Sequence, residues 1–356
     1  MVTFIIGNGF DIQMGLKTRY SDFYKVYKQP KEGDSEVIQK FKKEFEENLE
    51  TWADFELQLG KYSQEFTGDS AFEDYEACFD DFVVSFNKYL KKQCESIDWP
   101  AVTDNEISKF QDSILDFYKY VKGVNSDSVK GYIKDRSLVN FLQFNYTDVF
   151  NVMLHKSSMH EHPQKRVRMG YAYQGIASLG KNLHVHGKLG EGGYMTMGVD
   201  RLEQIENSTI RDNRGSDFFV KPEFLNNLQA RNVNQEIAKI EAIQVIKNST
   251  VICAFGAPIG DTDGFWWRAI GERLKNPGTL LVIFGYHGRP DDGISPAKIR
   301  KRELEVADKR EETKLRFIRL AELDEEWLER NSGRIIVELD SGMFDFWLPQ
   351  IRPNNL

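Results

Sequence analysis

The feature that most constrains this chain is a series of short apolar runs, rich in β-branched residues, that recur between longer segments of helical periodicity. The runs Val251-Ile252-Cys253-Ala254-Phe255 and Leu280-Leu281-Val282-Ile283-Phe284 do not alternate apolar with polar residues. A strand with one solvated face alternates, whereas a parallel strand covered by helices on both faces reads as continuous apolar sequence. The pattern therefore predicts an α/β fold around a mainly parallel, Rossmann-like sheet. The candidate strands are Val2–Ile6, Leu138–Phe144, Asn182–Val185, Thr250–Phe255, Thr279–Phe284 and Arg334–Glu338.

Between the first two strands lies a large insert, residues 31–135, poor in glycine and periodic as a helix is. Phe41, Phe45, Leu49, Trp52, Phe55 and Leu59 recur at steps of three and four, which sets them on one apolar face. Phe72–Tyr89 and Ile107–Val121 predict two more helices. The expected organisation is an α/β core, residues 1–30 and 136–356, with the insert as a helical subdomain. Residues 187–234 have the Gly and Asp/Asn content of loops. Residues 297–319 mix both charge signs at helical spacing, as a solvated helix does.

Composition narrows the function classes. The 356 residues carry 47 Lys+Arg against 55 Asp+Glu, a net charge of −8, which argues against broad binding to nucleic-acid phosphates. No stretch reaches the roughly 18 apolar residues of a membrane span, and the first residues lack a signal-peptide pattern, so a cytoplasmic protein without membrane attachment is expected. Cys78, Cys94 and Cys253 are too few and too scattered for a disulfide framework or a structural zinc site. No metal is expected.

The chemistry-bearing residues fall where the strands end. The first strand runs into Gly7-Asn8-Gly9, the second into Asn145-Tyr146-Thr147-Asp148, and the third into His186-Gly187. The fourth runs into Gly256 and on to Gly260-Asp261, and the fifth into Gly285-Tyr286-His287-Gly288. Ligands of open parallel sheets bind outside the carboxyl ends of the strands, so five such ends point to one cleft. The first loop lacks a third fingerprint glycine, since Ile12 stands there, and no terminal acid follows about 20 residues on, which argues against an ordinary dehydrogenase. His184 and His186 alternate on a strand and face opposite sides. His186, at the strand end, is the functional candidate and His184 a packed neighbour. Asp148 reads locally as a helix cap. Glu56, one turn after Trp52, reads either as a salt-bridge partner or as a carboxylate reaching over the cleft.

These segments resemble the AbiH family of bacterial phage abortive-infection proteins. The resemblance is carried by Ile5-Ile6-Gly7-Asn8-Gly9-Phe10-Asp11-Ile12, Trp52-Ala53-Asp54-Phe55-Glu56, Phe144-Asn145-Tyr146-Thr147, His184-Val185-His186-Gly187 and Phe255-Gly256 through Asp261. Met14 and Lys17 depart from it, standing where histidine and proline are usual. More distantly, the order of a Gly-x-Gly loop, an Asn at a strand end, a His-Gly and a Gly-rich strand end with a following Asp is similar to sirtuin-like domains. That resemblance implies NAD as ligand or substrate and cleavage of its nicotinamide–ribose bond, while the missing zinc ribbon argues against deacylation.

On this reading Asn145 orients water and ribose, His186 is the general base, and Asp148 belongs to the catalytic set. Gly7, Asn8 and Gly9 hold the diphosphate through backbone N–H groups. Asp11 or Glu56 binds ribose or balances the developing cation, and Gly256, Asp261 and Gly285 complete the cofactor-binding edge. The rival expectation is a non-catalytic sensor that binds a nucleotide or phage-derived trigger and acts through a partner. A nuclease is third. The insert is expected to cover the cleft as a lid or to form a homo-oligomer interface, with Glu56 turned toward Gly7–Gly9.

Overall fold

The computed structural model describes residues 1–44, 55–133, 137–160, 176–189, 195–221, 233–288 and 295–351. Phe45, Leu49 and Trp52 of the predicted helical stripe lie outside them.

Six parallel strands form one sheet in the order β3-β2-β1-β4-β5-β6: β1 Val2–Ile6, β2 Ser137–Gln143, β3 Ile176–His184, β4 Val251–Phe255, β5 Leu280–Gly285 and β6 Ile335–Leu339. The chain thus lays strands outward on one side of β1, then returns to start the other side with β4. The crevice between β1 and β4 is the topological switch point, where ligands of doubly wound sheets bind. Every residue of β1, β4 and β6 is buried, as their unbroken apolar runs require.

β3 starts six residues before the expected position. Its first half, Ile176-Ala177-Ser178-Leu179-Gly180-Lys181, has no apolar run because it lies on the sheet edge and pairs with β2 alone. The pairing shifts register beside Asn140, whose Oδ1 accepts from the Lys181 amide at 2.9 Å.

One face of the sheet presents Phe4, Ile6, Val139, Phe141, Cys253 and Val282 to helices Asp104–Leu115 and Val149–Met159 and to the tail Met343–Leu348. The opposite face presents Ile5, Leu142, Ile252, Ala254 and Ile283 to helices Val233–Asn248, Gly264–Leu274 and Pro296–Leu320. A third apolar cluster lies apart from the strands. There Phe23, Tyr27, Phe41, Phe55, Phe82 and Phe86 of the helical region pack with Met197, Val199, Ile205 and Phe219 of the irregular segment. The helices of residues 31–135 therefore serve two cores: Asp104–Leu115 belongs to a sheet face, whereas Phe55–Tyr62 and Ala71–Glu95 belong to the third cluster. Tyr146, just beyond β2, packs against that cluster, so it caps the carboxyl edge of the sheet.

Candidate functional site

At the switch point β1 and β4 run into loops that touch backbone to backbone. A Cβ on Gly7 would stand 2.4 Å from Ala257 Cα, and one on Gly9 would stand 2.5 Å from Gly256 Cα. Gly256 itself has φ +62°, which favours glycine independently of space. The contact is sealed by hydrogen bonds from the Gly7 amide to Phe255 O (2.9 Å) and from the Gly9 amide to Gly256 O (2.8 Å). The glycines thus serve close packing. The Gly7 and Gly9 N–H groups are committed within the fold, so these two amides are not open to a diphosphate. Asn8 is also engaged: its Nδ2 donates to Thr18 O at 2.9 Å, and its Oδ1 accepts from Thr18 Oγ1 at 2.6 Å.

Beside these loops, under the cap, lies a small cavity of about 90 Å³. Gly7, Asn8, Asp11, Glu56, Asn145 and His186 all line it, as do Tyr20, Tyr146, Thr147, Lys221, Thr262 and Asp263. Phe55, Phe86 and Phe144 supply aromatic wall. Gly9, Gly256, Asp148, Asp261 and Gly285 are not among the lining residues. Asp261 faces outward, 3.4 Å from both Arg316 and Arg319, into an open cleft of about 790 Å³. Asp148 is half exposed, bonded to Asn151 and 3.6 Å from His184 Nε2, and the hydrogen bond from His184 holds its carboxyl below the usual range. Gly285 is the last residue of β5, paired with Leu339 of β6, where a Cβ would stand 2.8 Å from Leu339 Cδ2.

Asp11 and Asn145 form the polar floor. Asn145 Nδ2 donates to Asp11 Oδ1 at 3.2 Å, and Thr147 Oγ1 donates to Asp11 Oδ2 at 2.6 Å. Burial raises the Asp11 pKa to about 7, against the lowering effect of those two donors. The bond to Asp11 fixes the Asn145 amide, whose Oδ1 is buried and has no hydrogen-bond partner among the described residues. A buried acceptor without a partner costs about 1–3 kcal/mol.

The roof carries the charges. Lys221 Nζ lies 2.6 Å from Glu56 Oε2 and 3.0 Å from Asp263 Oδ1. Glu56 Oε2 also accepts from Thr262 Oγ1 at 2.9 Å. His186 Nε2 is 3.1 Å from Asp263 Oδ1 but out of line for a well-formed bond. Burial alone would lower the Lys221 ammonium, yet Asp263 and Glu56 together raise it above the ordinary lysine range. Burial alone would raise Asp263, yet Lys221 and His186 hold it far below the carboxylate range. With His186 neutral, Glu56 and Asp263 against Lys221 leave one net negative charge in the lining, and two when Asp11 ionises.

His184, as its alternation with His186 implies, turns away from the cavity. Its Nδ1 lies 3.3 Å from Asn145 O and its Nε2 2.6 Å from Asn151 Nδ2. Met14, where the family usually has histidine, is fully buried in the core, and the Lys17 side is exposed. Asp263 was within reach of sequence reasoning, since it stands two residues after Asp261 in the same loop. Lys221 carried no signal: it lies in an irregular segment with no periodicity. Among the described residues no group of three His, Cys, Asp or Glu is placed to hold a metal ion, and no helix is long and apolar enough to cross a membrane.

The family model for bacteriophage abortive infection AbiH matches residues 3–284, from within β1 to within β5. The chain belongs to the AbiH family. That match takes in every residue lining the cavity, so the site lies wholly inside the family's shared region. A search of the curated proteins returns no match.

Proposed function

We propose that this AbiH protein is a nucleotide glycohydrolase of phage defence that cleaves the nicotinamide–ribose bond of NAD. Family membership supports the abortive-infection role. The observation that carries the chemistry is the unpartnered Asn145 Oδ1 in a buried cavity of net negative charge. Cleavage of an N-ribosyl bond passes through an oxocarbenium-like state, and preorganised negative charge in a dry site stabilises it. The C1′–N bond breaks with its electron pair going to the nicotinamide nitrogen, which leaves as a neutral base and needs no proton. A water held by Asn145 Oδ1 adds to C1′, and its proton passes to His186. Asp263 then stabilises the imidazolium. Glu56 and Asp11 balance the charge on the ribose. The 2-hydroxyl side of the sugar finds its donors and acceptors at Asp11 and Thr147.

A cavity of about 90 Å³ admits water but no dinucleotide, since ligand sites run to several hundred Å³. The substrate therefore enters when the cap lifts, and only the nicotinamide riboside end reaches the floor. The diphosphate lies outside, because the Gly7 and Gly9 amides are taken. The same closure favours a second reading, a sensor whose resting form is shut and which opens for a phage-derived trigger or on self-association. Incubating purified protein with NAD, other nucleotides and DNA, with and without EDTA, separates the readings. Free nicotinamide insensitive to EDTA supports the hydrolase; nucleotide binding without product supports the sensor; cut strands refute both.

A further inference from the structure

Helix Gly9–Gln13 carries Asp11 into the floor of the cavity, yet it is only five residues long. A helix so short does not hold itself, because its first turn fixes several dihedrals for one hydrogen bond, so its place is set by what packs against it. That support comes from the chain beyond β6. Gln13 Nε2 donates to Met343 O at 2.8 Å and to Phe344 O at 2.7 Å, and the Leu348 amide donates to Met14 O at 3.1 Å. The Phe344 ring stands edge-on to Phe10 at 5.2 Å and to Phe255 at 4.9 Å, the residues just before Asp11 and Gly256. Phe344 is fully buried with φ +54°, a conformation that a bulky residue rarely adopts, and its amide donates to Ser113 Oγ at 2.8 Å. Such an outlier persists only where its surroundings over-determine it. The same tail ends against helix Ala71–Glu95, whose Phe86 and Leu90 line the cavity. There the Asp98 amide donates to Pro349 O and the Ile351 amide to Ser96 O, both at 2.8 Å, and Ser96 Oγ donates to Gln350 Oε1 at 2.7 Å.

We propose that the tail, residues 343–351, is a strap that sets the floor and one wall of the cavity, and that Gln13 is the positioning residue through which it holds Asp11. This rests on the place of Asp11 in the cavity and not on the reaction proposed there. Two residues apart on a helix, Asp11 and Gln13 point about 200° apart, so the strap grips the outer side of the helix while Asp11 faces inward. The strap lies beyond the matched residues 3–284, so the family's shared region holds every lining residue but not the segment that fixes them. The ionisable groups around the Asp11 carboxyl are Cys94 of helix Ala71–Glu95, with Asp148 beside it, and, across the cavity, Glu56, Asp263, Lys221, His186, Tyr20 and Tyr146. None of them is altered in the test.

The test follows the Asp11 carboxyl directly, by carbon NMR of the full chain labelled at its aspartate carboxyls, with the signal assigned by its loss in Asp11→Asn. Burial is the largest influence on this group and raises its pKa to about 7. Gln13→Met keeps the length of the side chain and removes both donated bonds. With the helix less firmly held, water reaches the carboxyl, and its titration midpoint should fall by about one unit. Val129→Ala trims a fully buried residue of the same core on helix Val124–Tyr132, and should lower the melting temperature without moving the midpoint. Where Gln13→Met does not fold, Gln13→Asn, whose shorter amide cannot reach both carbonyls, should move the midpoint the same way by less. A midpoint unchanged or raised in the Gln13 variant, or moving as far in Val129→Ala, would overturn the proposal. The titration needs no turnover, so an absence of nicotinamide release rejects the hydrolase reading and does not bear on this outcome.

Discussion

Replacing Asp11 by asparagine should flatten the pH dependence of stability, because the carboxyl it removes is buried and holds its proton unusually tightly. Burial raises the Asp11 pKa from 3.8 to about 7. Between those values the unfolded chain releases this proton while the folded protein keeps it, so folding is favoured by low pH. The contribution is fully present below pH 3.8 and is lost progressively as pH rises through about 7. The shift, about 3 units at 1.36 kcal/mol each, corresponds to roughly 4 kcal/mol over the whole window. Asparagine keeps the shape: its carbonyl can accept from Asn145 Nδ2 and its amide can donate to Thr147 Oγ1. The assay is urea unfolding of both proteins at pH 5 and pH 8, followed by tryptophan fluorescence. The stability of the unsubstituted protein relative to Asp11→Asn should fall by about 3 kcal/mol from pH 5 to pH 8. A difference constant to within about 0.5 kcal/mol would show that Asp11 ionises as freely in the folded protein as in the unfolded chain, and would refute the reasoning.

Gly7→Ala drives a Cβ to 2.4 Å from Ala257 Cα, where no side chain can yield, so a loss of roughly 3 kcal/mol is expected in thermal or urea unfolding. Gly131→Ala is its control: the residue sits in a helix with nothing within 4 Å, and alanine there should stabilise by roughly 0.5–1 kcal/mol. Equal effects at the two glycines would contradict the packing account of the switch-point loops. His184→Ala should cost roughly 1–3 kcal/mol by freeing Asn151 and Asn145 O, while retaining more nicotinamide release than His186→Ala, which should lose about 10²–10⁴-fold. The reverse order in the release assay would exchange the roles of the two histidines.

The sheet was legible in the sequence because strands buried on both faces leave no polar alternation, and the runs from Val251 and Leu280 can be little else. The early half of β3 was not, because an edge strand with Ser178, Gly180 and Lys181 needs no apolar run. Strand-end reasoning pointed to Asn145 and His186, which line one cavity since a parallel sheet gathers its carboxyl ends, whereas Asp11 and Glu56 reach it from helices and were given site roles through the family resemblance. It named Asp261, whereas Asp263 lines the cavity; the two differ only in the direction a short turn gives each side chain. It did not foresee that Gly7 and Gly9 pack backbone against backbone, because close packing and anion binding ask for the same residue. Lys221 was beyond reach, since long-range pairing in an irregular segment leaves no local pattern.

Nicotinamide release tests most directly whether the Asn145–His186 cavity cleaves an N-ribosyl bond. Purified protein incubated with NAD, with products resolved by chromatography and mass spectrometry, should yield nicotinamide and ADP-ribose in equal amounts. Asn145→Ala, shown by circular dichroism to be folded, should yield neither above background. Full release by Asn145→Ala, or none by the unsubstituted protein even when expressed in phage-infected cells and assayed directly in their lysate, would contradict the assignment of this cavity as the hydrolytic site.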